Sequence, residues 1–210
     1  MVKIAPSILA ADFNKLENEI SDVEKAGADY IHIDIMDGEF VDNETPGLEM
    51  LERAHDSTKL VLDTHLMVED PQNWLEDVVL SNVVTFHIEA VNTETADKII
   101  DYLHERDIKA GVAIKPNTSI EDIMPIIEKI DVVLVMLVEP GFGGQKMIES
   151  CLEKVRALRN LKPDLDIEVD GGVNLENVKI VKAAGANILV AGTAIFKSND
   201  RKFVIEEMRK

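Results

Sequence analysis

The chain has 210 residues, 46% hydrophobic and 30% charged, which makes one globular domain with a large core and excludes intrinsic disorder. Forty acidic residues against 22 basic ones give a net charge of −18, which argues against nucleic-acid and anionic-membrane partners but not against a small phosphorylated ligand. A single cysteine, Cys151, excludes an intramolecular disulfide, and no apolar run approaches the ~20 residues of a membrane span.

The N-terminus, through Pro6, carries one lysine and no long apolar stretch, so a cytoplasmic protein is expected. Apolar runs rich in β-branched residues fall at 2–5, 30–35, 60–65, 83–88, 109–114, 132–136, 166–169 and 187–190. Between the first two, Phe13, Leu16, Ile20 and Val23 form a helical stripe that Gly27 ends. The stripe recurs as Ile99, Ile100 and Leu103, as Leu152, Val155 and Leu158, and as Leu175, Val178 and Val181. Eight strand–helix units predict a single closed (β/α)8 TIM barrel over 1–210, with a doubly wound open sheet as the competitor. Ala26-Gly-Ala-Asp29 and Ala184-Gly-Ala-Asn187 echo each other, through turn chemistry or through an old duplication. Glycine and proline cluster after the strand candidates, on the face where barrels place their active sites.

Strand alternation puts His32, Asp34 and Met36 on one face and Ile31, Ile33 and Ile35 on the other. Facing inward, the polar pair must be satisfied by hydrogen bonds or by a divalent metal. Strand three adds His65 and Met67, and strand seven ends at Asp170. Two imidazoles and two carboxylates could therefore converge at the mouth, as a set suited to Zn, Mn, Fe(II) or Co. His87, in a His-x-Glu pair with Glu89, reads as an interior histidine. Asp34 and Asp170 would also suit proton removal from one face of a carbon and delivery to the other, with a metal stabilising the enediolate charge. Met36, Met67 and Met136 would surround that centre and exclude water. Glycines in Pro140–Gly144, Gly171-Gly172 and Gly192-Thr193 follow three consecutive strands and predict an anion cradle of backbone amides. Lys115 raises a Schiff-base aldolase as a different mechanism.

Residues 4–12, 32–38, 63–68, 85–90, 135–145, 169–172 and 192–195 together resemble the ribulose-phosphate 3-epimerase family over essentially the whole chain. The resemblance implies a β/α barrel that interconverts D-ribulose 5-phosphate and D-xylulose 5-phosphate in the pentose phosphate pathway, with one divalent metal per chain. It implies His32, Asp34, His65 and Asp170 as ligands and Asp34 and Asp170 as the acid/base pair. Ser7, His32, His65, Gly141, Phe142, Gly143, Gly144, Asp170, Gly171, Gly172, Gly192 and Thr193 would contact substrate. A homo-oligomer, a dimer, is expected. The family pattern is altered at 44–48, after which the helix looks short, and the turn at 80–82 is trimmed. An epimerase of a related phosphosugar such as allulose 6-phosphate, or a non-catalytic phosphosugar-binding barrel, are the alternatives.

Overall fold

The computed structural model describes residues 2–210, and Met1 lies outside them. β1 (Lys3–Pro6), β2 (Tyr30–Met36), β3 (Val61–Met67), β4 (Val83–His87), β5 (Lys109–Ile114), β6 (Val132–Met136), β7 (Asp166–Asp170) and β8 (Ile188–Ala191) form one parallel sheet. Its order, β1-β8-β7-β6-β5-β4-β3-β2, leaves β1 and β2 at the two ends. A parallel bridge between Ser7 and His32 joins those ends, so the sheet curls into the expected barrel. All eight expected strands are present, and β2 and β3 run on to Met36 and Met67.

The α-helices are α1 (Leu16–Lys25), α2 (Gly47–Ser57), α3 (Thr93–His104), α4 (Leu152–Leu161), α5 (Val178–Ala184), α6 (Thr193–Phe196) and α7 (Arg201–Arg209). The helical stripes lie in α1, α3, α4 and α5, except that Phe13 sits in a 3-10 turn before α1 and Leu175 stands before α5 and is exposed. Among the described residues, two crossovers lack an α-helix. Between β5 and β6 there is only a 3-10 turn, Ile120–Ile123, because Pro125 lacks the N–H that would continue it. Between β3 and β4 the 3-10 turn Pro71–Asn73 serves the same purpose. The helix after the altered 44–48 segment is not short, since α2 has 11 residues. No helix among the described residues is long and apolar enough to cross a membrane.

Side-chain alternation divides the barrel into two environments. Ile31, Ile33, Leu66, Phe86, Val112, Val133, Val135, Ile167 and Leu189 point outward and join the helices in one large apolar core. Inside, Tyr30, Val83, Val132 and Ile188 fill the N-terminal end. The next layer is polar, with His32, Asp63, Thr85 and Glu168 all buried. Gly111 completes that layer because a Cβ there would collide with Thr85 Oγ1. The layer above holds Asp34, His65, His87 and Asp170, and the cavity opens over it.

At the opposite end, one device recurs four times. Asp29, Asn82, Asp131 and Asn187 each stand immediately before an even-numbered strand and clip it to the preceding odd one. Their backbone N–H groups donate to the carbonyls of Ile4, Leu62, Ala110 and Ile167, at 3.0, 2.9, 2.9 and 3.0 Å. Their side-chain oxygens accept the N–H of those same residues at 2.8, 2.8, 2.9 and 2.7 Å. The turns at 26–29 and 184–187 share this clip with two turns that lack the Ala-Gly-Ala sequence. Replacing Asn187 by Ala strands the N–H of fully buried Ile167. The expected loss is about 1–3 kcal/mol of unfolding free energy, read as a lower urea midpoint with unchanged slope.

Candidate active site

A cavity of about 650 Å³ opens at the C-terminal ends of the strands. Its walls include Ser7, Asp34, Met36, Met67, Met136, Gly141–Gly144, Asp170–Gly172, Gly192 and Thr193, so most of the sequence-predicted residues meet in one place. His32 and His65 are fully buried and stand behind Asp34 without lining the cavity. Asp34 and Asp170 reach the floor from β2 and β7, separated around the barrel by β1 and β8.

The centre is arranged around the Asp34 carboxylate. Its Oδ2 accepts the Ser7 hydroxyl at 2.7 Å, while its Oδ1 lies 3.2 Å from His65 Nδ1 and 3.4 Å from His32 Nε2. One ligand-type atom each from His32, Asp34, His65 and Asp170 lies within 4.8 Å of the others. His32 Nε2 is buried and has no hydrogen-bond partner among the described residues, while its Nδ1 pairs with Asp63 Oδ2 at 2.6 Å. Two imidazole nitrogens and two carboxylates fit a borderline divalent cation such as Zn, Mn, Fe(II) or Co. The local field agrees. Burial disfavours imidazolium, yet the charges of Asp34 and Asp63 raise His32 well above the ordinary imidazole value, so positive charge is stabilised here. A second group, His32, Asp63 and Glu168, lies one layer deeper. There, burial and then the Asp63 charge push the Glu168 carboxyl well above its ordinary range.

The two carboxylates at the floor are driven apart in acidity. Burial opposes ionisation of Asp34, but the His32 charge and the second imidazole beside it hold it below the usual carboxylate range. Asp170 goes the other way, raised by burial and then by the Asp34 charge. Opposed shifts in two neighbouring carboxyls are the pattern of an acid/base pair.

The methionines seal the floor: Met36 and Met67 pack with Val41, and Met136 with Leu134 and Val138. Opposite them the glycine loops are held by side-chain amides. Gln145 donates to the Glu139 and Phe142 carbonyls, and Asn174 and Asn177 both donate to Gly172 O. Gly144 and Gly172 take φ +77° and +68°, where glycine is favoured. A Cβ on Gly172 would also lie 2.6 Å from Met147 N, so these two loops touch through their backbones.

Two cavity residues escaped sequence reasoning. Asn43 lines the cavity and donates to Gly141 O at 2.8 Å, tying the altered 43–48 segment to the glycine loop. Lys197, after α6, brings a cation to the wall beside Gly192 and Thr193. His87, read as an interior histidine, is fully buried and bonded through both ring nitrogens, and burial pulls it down to about 4 against the opposing pull of Glu89. Lys115, on which the aldolase reading rested, places its ammonium 3.7 Å over the Phe40 ring and does not line the cavity.

Against known proteins, the model of the ribulose-phosphate 3-epimerase family matches residues 3–196. The Bacillus subtilis ribulose-phosphate 3-epimerase is 45% identical over all of this chain and 99% of its own length. The cytoplasmic isoform of ribulose-phosphate 3-epimerase from Oryza sativa is 42% identical over 99% of the chain and 93% of its own length. Among solved structures, KGPDC from Streptococcus mutans superposes with a TM-score of 0.76 at 12% identity, over 100% of this chain and 96% of its own, a likeness of fold alone.

Removing one imidazole from the centre removes one nitrogen donor. His32→Ala and His65→Ala are each expected to lower divalent-metal affinity beyond the ~10–100-fold that outer hydrogen-bond partners contribute. Metal analysis after dialysis against a weak chelator reads the effect.

Proposed function

The chain belongs to the ribulose-phosphate 3-epimerase family, and from that premise we propose which of its residues bind the substrate and move its protons. It is an enzyme, an epimerase of the pentose phosphate pathway that interconverts D-ribulose 5-phosphate and D-xylulose 5-phosphate at C3. The alternative substrates of the sequence reading find no support in the relatives, which carry the ribulose-phosphate name in bacteria and plants alike.

The observation that carries the proposal is the pair of carboxylates brought to one cavity floor by β2 and β7. Inverting C3 requires a proton to leave one face of the carbon and another to arrive at the opposite face. One fixed carboxylate serves one face only. Asp34 and Asp170 approach from separate parts of the wall, so one takes the C3 proton and the other returns one to the opposite side of the planar enediolate. In the reverse direction they exchange tasks. Ser7, bonded to Asp34 Oδ2, holds that carboxylate in place and meets the substrate at the wall. His32, Asp34, His65 and Asp170 would hold a divalent cation, which when bound supplies Lewis-acid stabilisation of the charge that develops on the substrate oxygens. The three methionines keep water from the reacting carbon.

The phosphate end is assigned to the opposite wall. Gly141–Gly144, Gly171, Gly172, Gly192 and Thr193 present backbone rather than bulk, and Lys197 adds a cation on that wall. His32 and His65 act on the substrate through the metal site, in keeping with their place behind Asp34. A cytoplasmic homodimer completes the proposal; the rice relative is named a cytoplasmic isoform, Cys151 is buried and free, and sedimentation velocity reads the subunit count.

Asp34→Asn and Asp170→Asn keep the shape of the site and remove a base, so each is expected to slow epimerisation by about 10²–10⁴-fold. With metal content measured alongside, one variant should still exchange the C3 proton of ribulose 5-phosphate with deuterium while forming little xylulose 5-phosphate. Near-wild-type epimerisation by either metal-loaded variant would refute the two-carboxylate assignment. Gly144→Val, at φ +77° on the cavity wall, is expected to raise KM for the phosphosugar far more than it changes metal affinity.

A further inference from the structure

We propose that His87 and Glu89 are positioning residues for His65: together they fix the imidazole tautomer that leaves Nδ1 bare towards the cation site, an inference that rests on the ligand reading above.

The argument follows the protons along one chain of contacts. His65 Nε2 lies 2.9 Å from His87 Nε2, and His87 Nδ1 lies 3.0 Å from Glu89 Oε2. The other Glu89 oxygen accepts the Lys115 N–H at 2.7 Å and the Thr118 hydroxyl, so the carboxylate is ionised and held in one orientation. A ring nitrogen facing an ionised carboxylate carries a hydrogen, which makes His87 Nδ1 the donor. Two facing ring nitrogens can share only one proton. A neutral His87 that donates from Nδ1 must accept at Nε2, so the shared proton belongs to His65 Nε2. His65 is then left with a bare Nδ1, the atom 3.2 Å from Asp34 Oδ1. A bare nitrogen beside a carboxylate oxygen is a pair of electron donors for a cation, and it is not a hydrogen bond.

His32 reaches the same end through its other nitrogen. Its Nδ1 faces Asp63 and its Nε2 is left free. The two imidazoles therefore need opposite tautomers, and each has a carboxylate behind it that selects the right one, directly for His32 and through His87 for His65. The His87 ring is itself held by packing, with the Phe40 ring 4.8 Å away and the Lys115 ammonium 3.7 Å over Phe40. Both nitrogens of His87 are committed, which explains why a histidine so close to the centre is not a ligand. Partners that orient a ligating imidazole in this way are typically worth about 10–100-fold in metal affinity.

The test measures Zn²⁺ affinity by competition with a chromophoric chelator, and reads imidazole ¹⁵N shifts in the metal-free and Zn²⁺-loaded protein. Wild type should show His65 protonated on Nε2 in both states, with Nδ1 bare in the metal-free protein and shifted by coordination in the Zn²⁺-loaded one. His87→Phe, which keeps a ring but removes the acceptor, should weaken Zn²⁺ binding about 10–100-fold and give a mixture of His65 tautomers. His87→Gln, whose amide oxygen can accept the His65 Nε2–H, should restore most of the affinity. If His87→Phe and His87→Gln weaken binding equally, the residue only fills space and the inference is wrong. Wild-type His65 protonated on Nδ1 in the metal-free protein overturns it without any variant, and so covers the case in which His87→Phe fails to fold. Unchanged Zn²⁺ affinity in His65→Ala removes the ligand reading, whereas weakened His65→Ala with unchanged His87→Phe overturns the positioning role alone.

Discussion

A carboxylate buried inside a barrel must have a partner for each oxygen, and Asp34 is the point at which this protein meets that demand. Its two oxygens face a serine hydroxyl and two imidazole nitrogens, and its backbone carbonyl accepts the Thr45 hydroxyl at 2.7 Å. Each partner comes from a different part of the chain. Ser7 follows β1, His65 sits on β3, and Thr45 belongs to the loop that also sends Asn43 to the glycine loop. The β1–β2 seam closes at the same place, through the Ser7–His32 bridge. The seam and the site thus share Ser7, and a change that opens the seam also displaces a partner of Asp34.

The two ends of the barrel divide stability from chemistry. At the N-terminal end four Asx residues clip neighbouring strands together, each satisfying both backbone groups of one residue. At the C-terminal end the backbone leaves the strands in glycine turns, where side-chain amides of Gln145, Asn174 and Asn177 substitute for regular structure. Glycines at positive φ (Gly141, Gly144, Gly171 and Gly172) shape the turns of that end, which also holds the cavity. Strands thereby set the positions of His32, Asp34, His65 and Asp170, while loops shape the cavity wall.

Eight strand–helix units made the barrel legible, and a period of two on a parallel strand, which decides which side chains face inward, brought His32, Asp34, His65 and Asp170 towards one mouth. The missing helices were less visible. Leu175 has helical spacing relative to Val178, yet α5 starts at Val178, and Asn174 spends its side chain on the turn before it. Asn43 and Lys197 arrive from segments whose paths no periodicity fixes. His87 was seen, but spacing says nothing about which ring nitrogen faces what. The clip residues had a signal that was not read: an Asp or Asn immediately before β2, β4, β6 and β8.

The polar layer beneath the site explains why so much charge is tolerated inside an apolar shell. Asp63 and Glu168 bring two carboxyls to one buried histidine, where two full negative charges would repel each other without relief from water. Burial and then the neighbouring Asp63 charge favour the neutral form of Glu168, which relieves that repulsion. Asp63 then keeps its hydrogen bond to His32, and His32 keeps its outer nitrogen aimed at the centre. Gly111 and Thr85 supply the small volume this layer requires, for a side chain at Gly111 would collide with Thr85. The deeper layer therefore supports the upper one: Asp63 holds His32 by Nδ1, and the other nitrogen of that ring faces the Asp34 carboxylate.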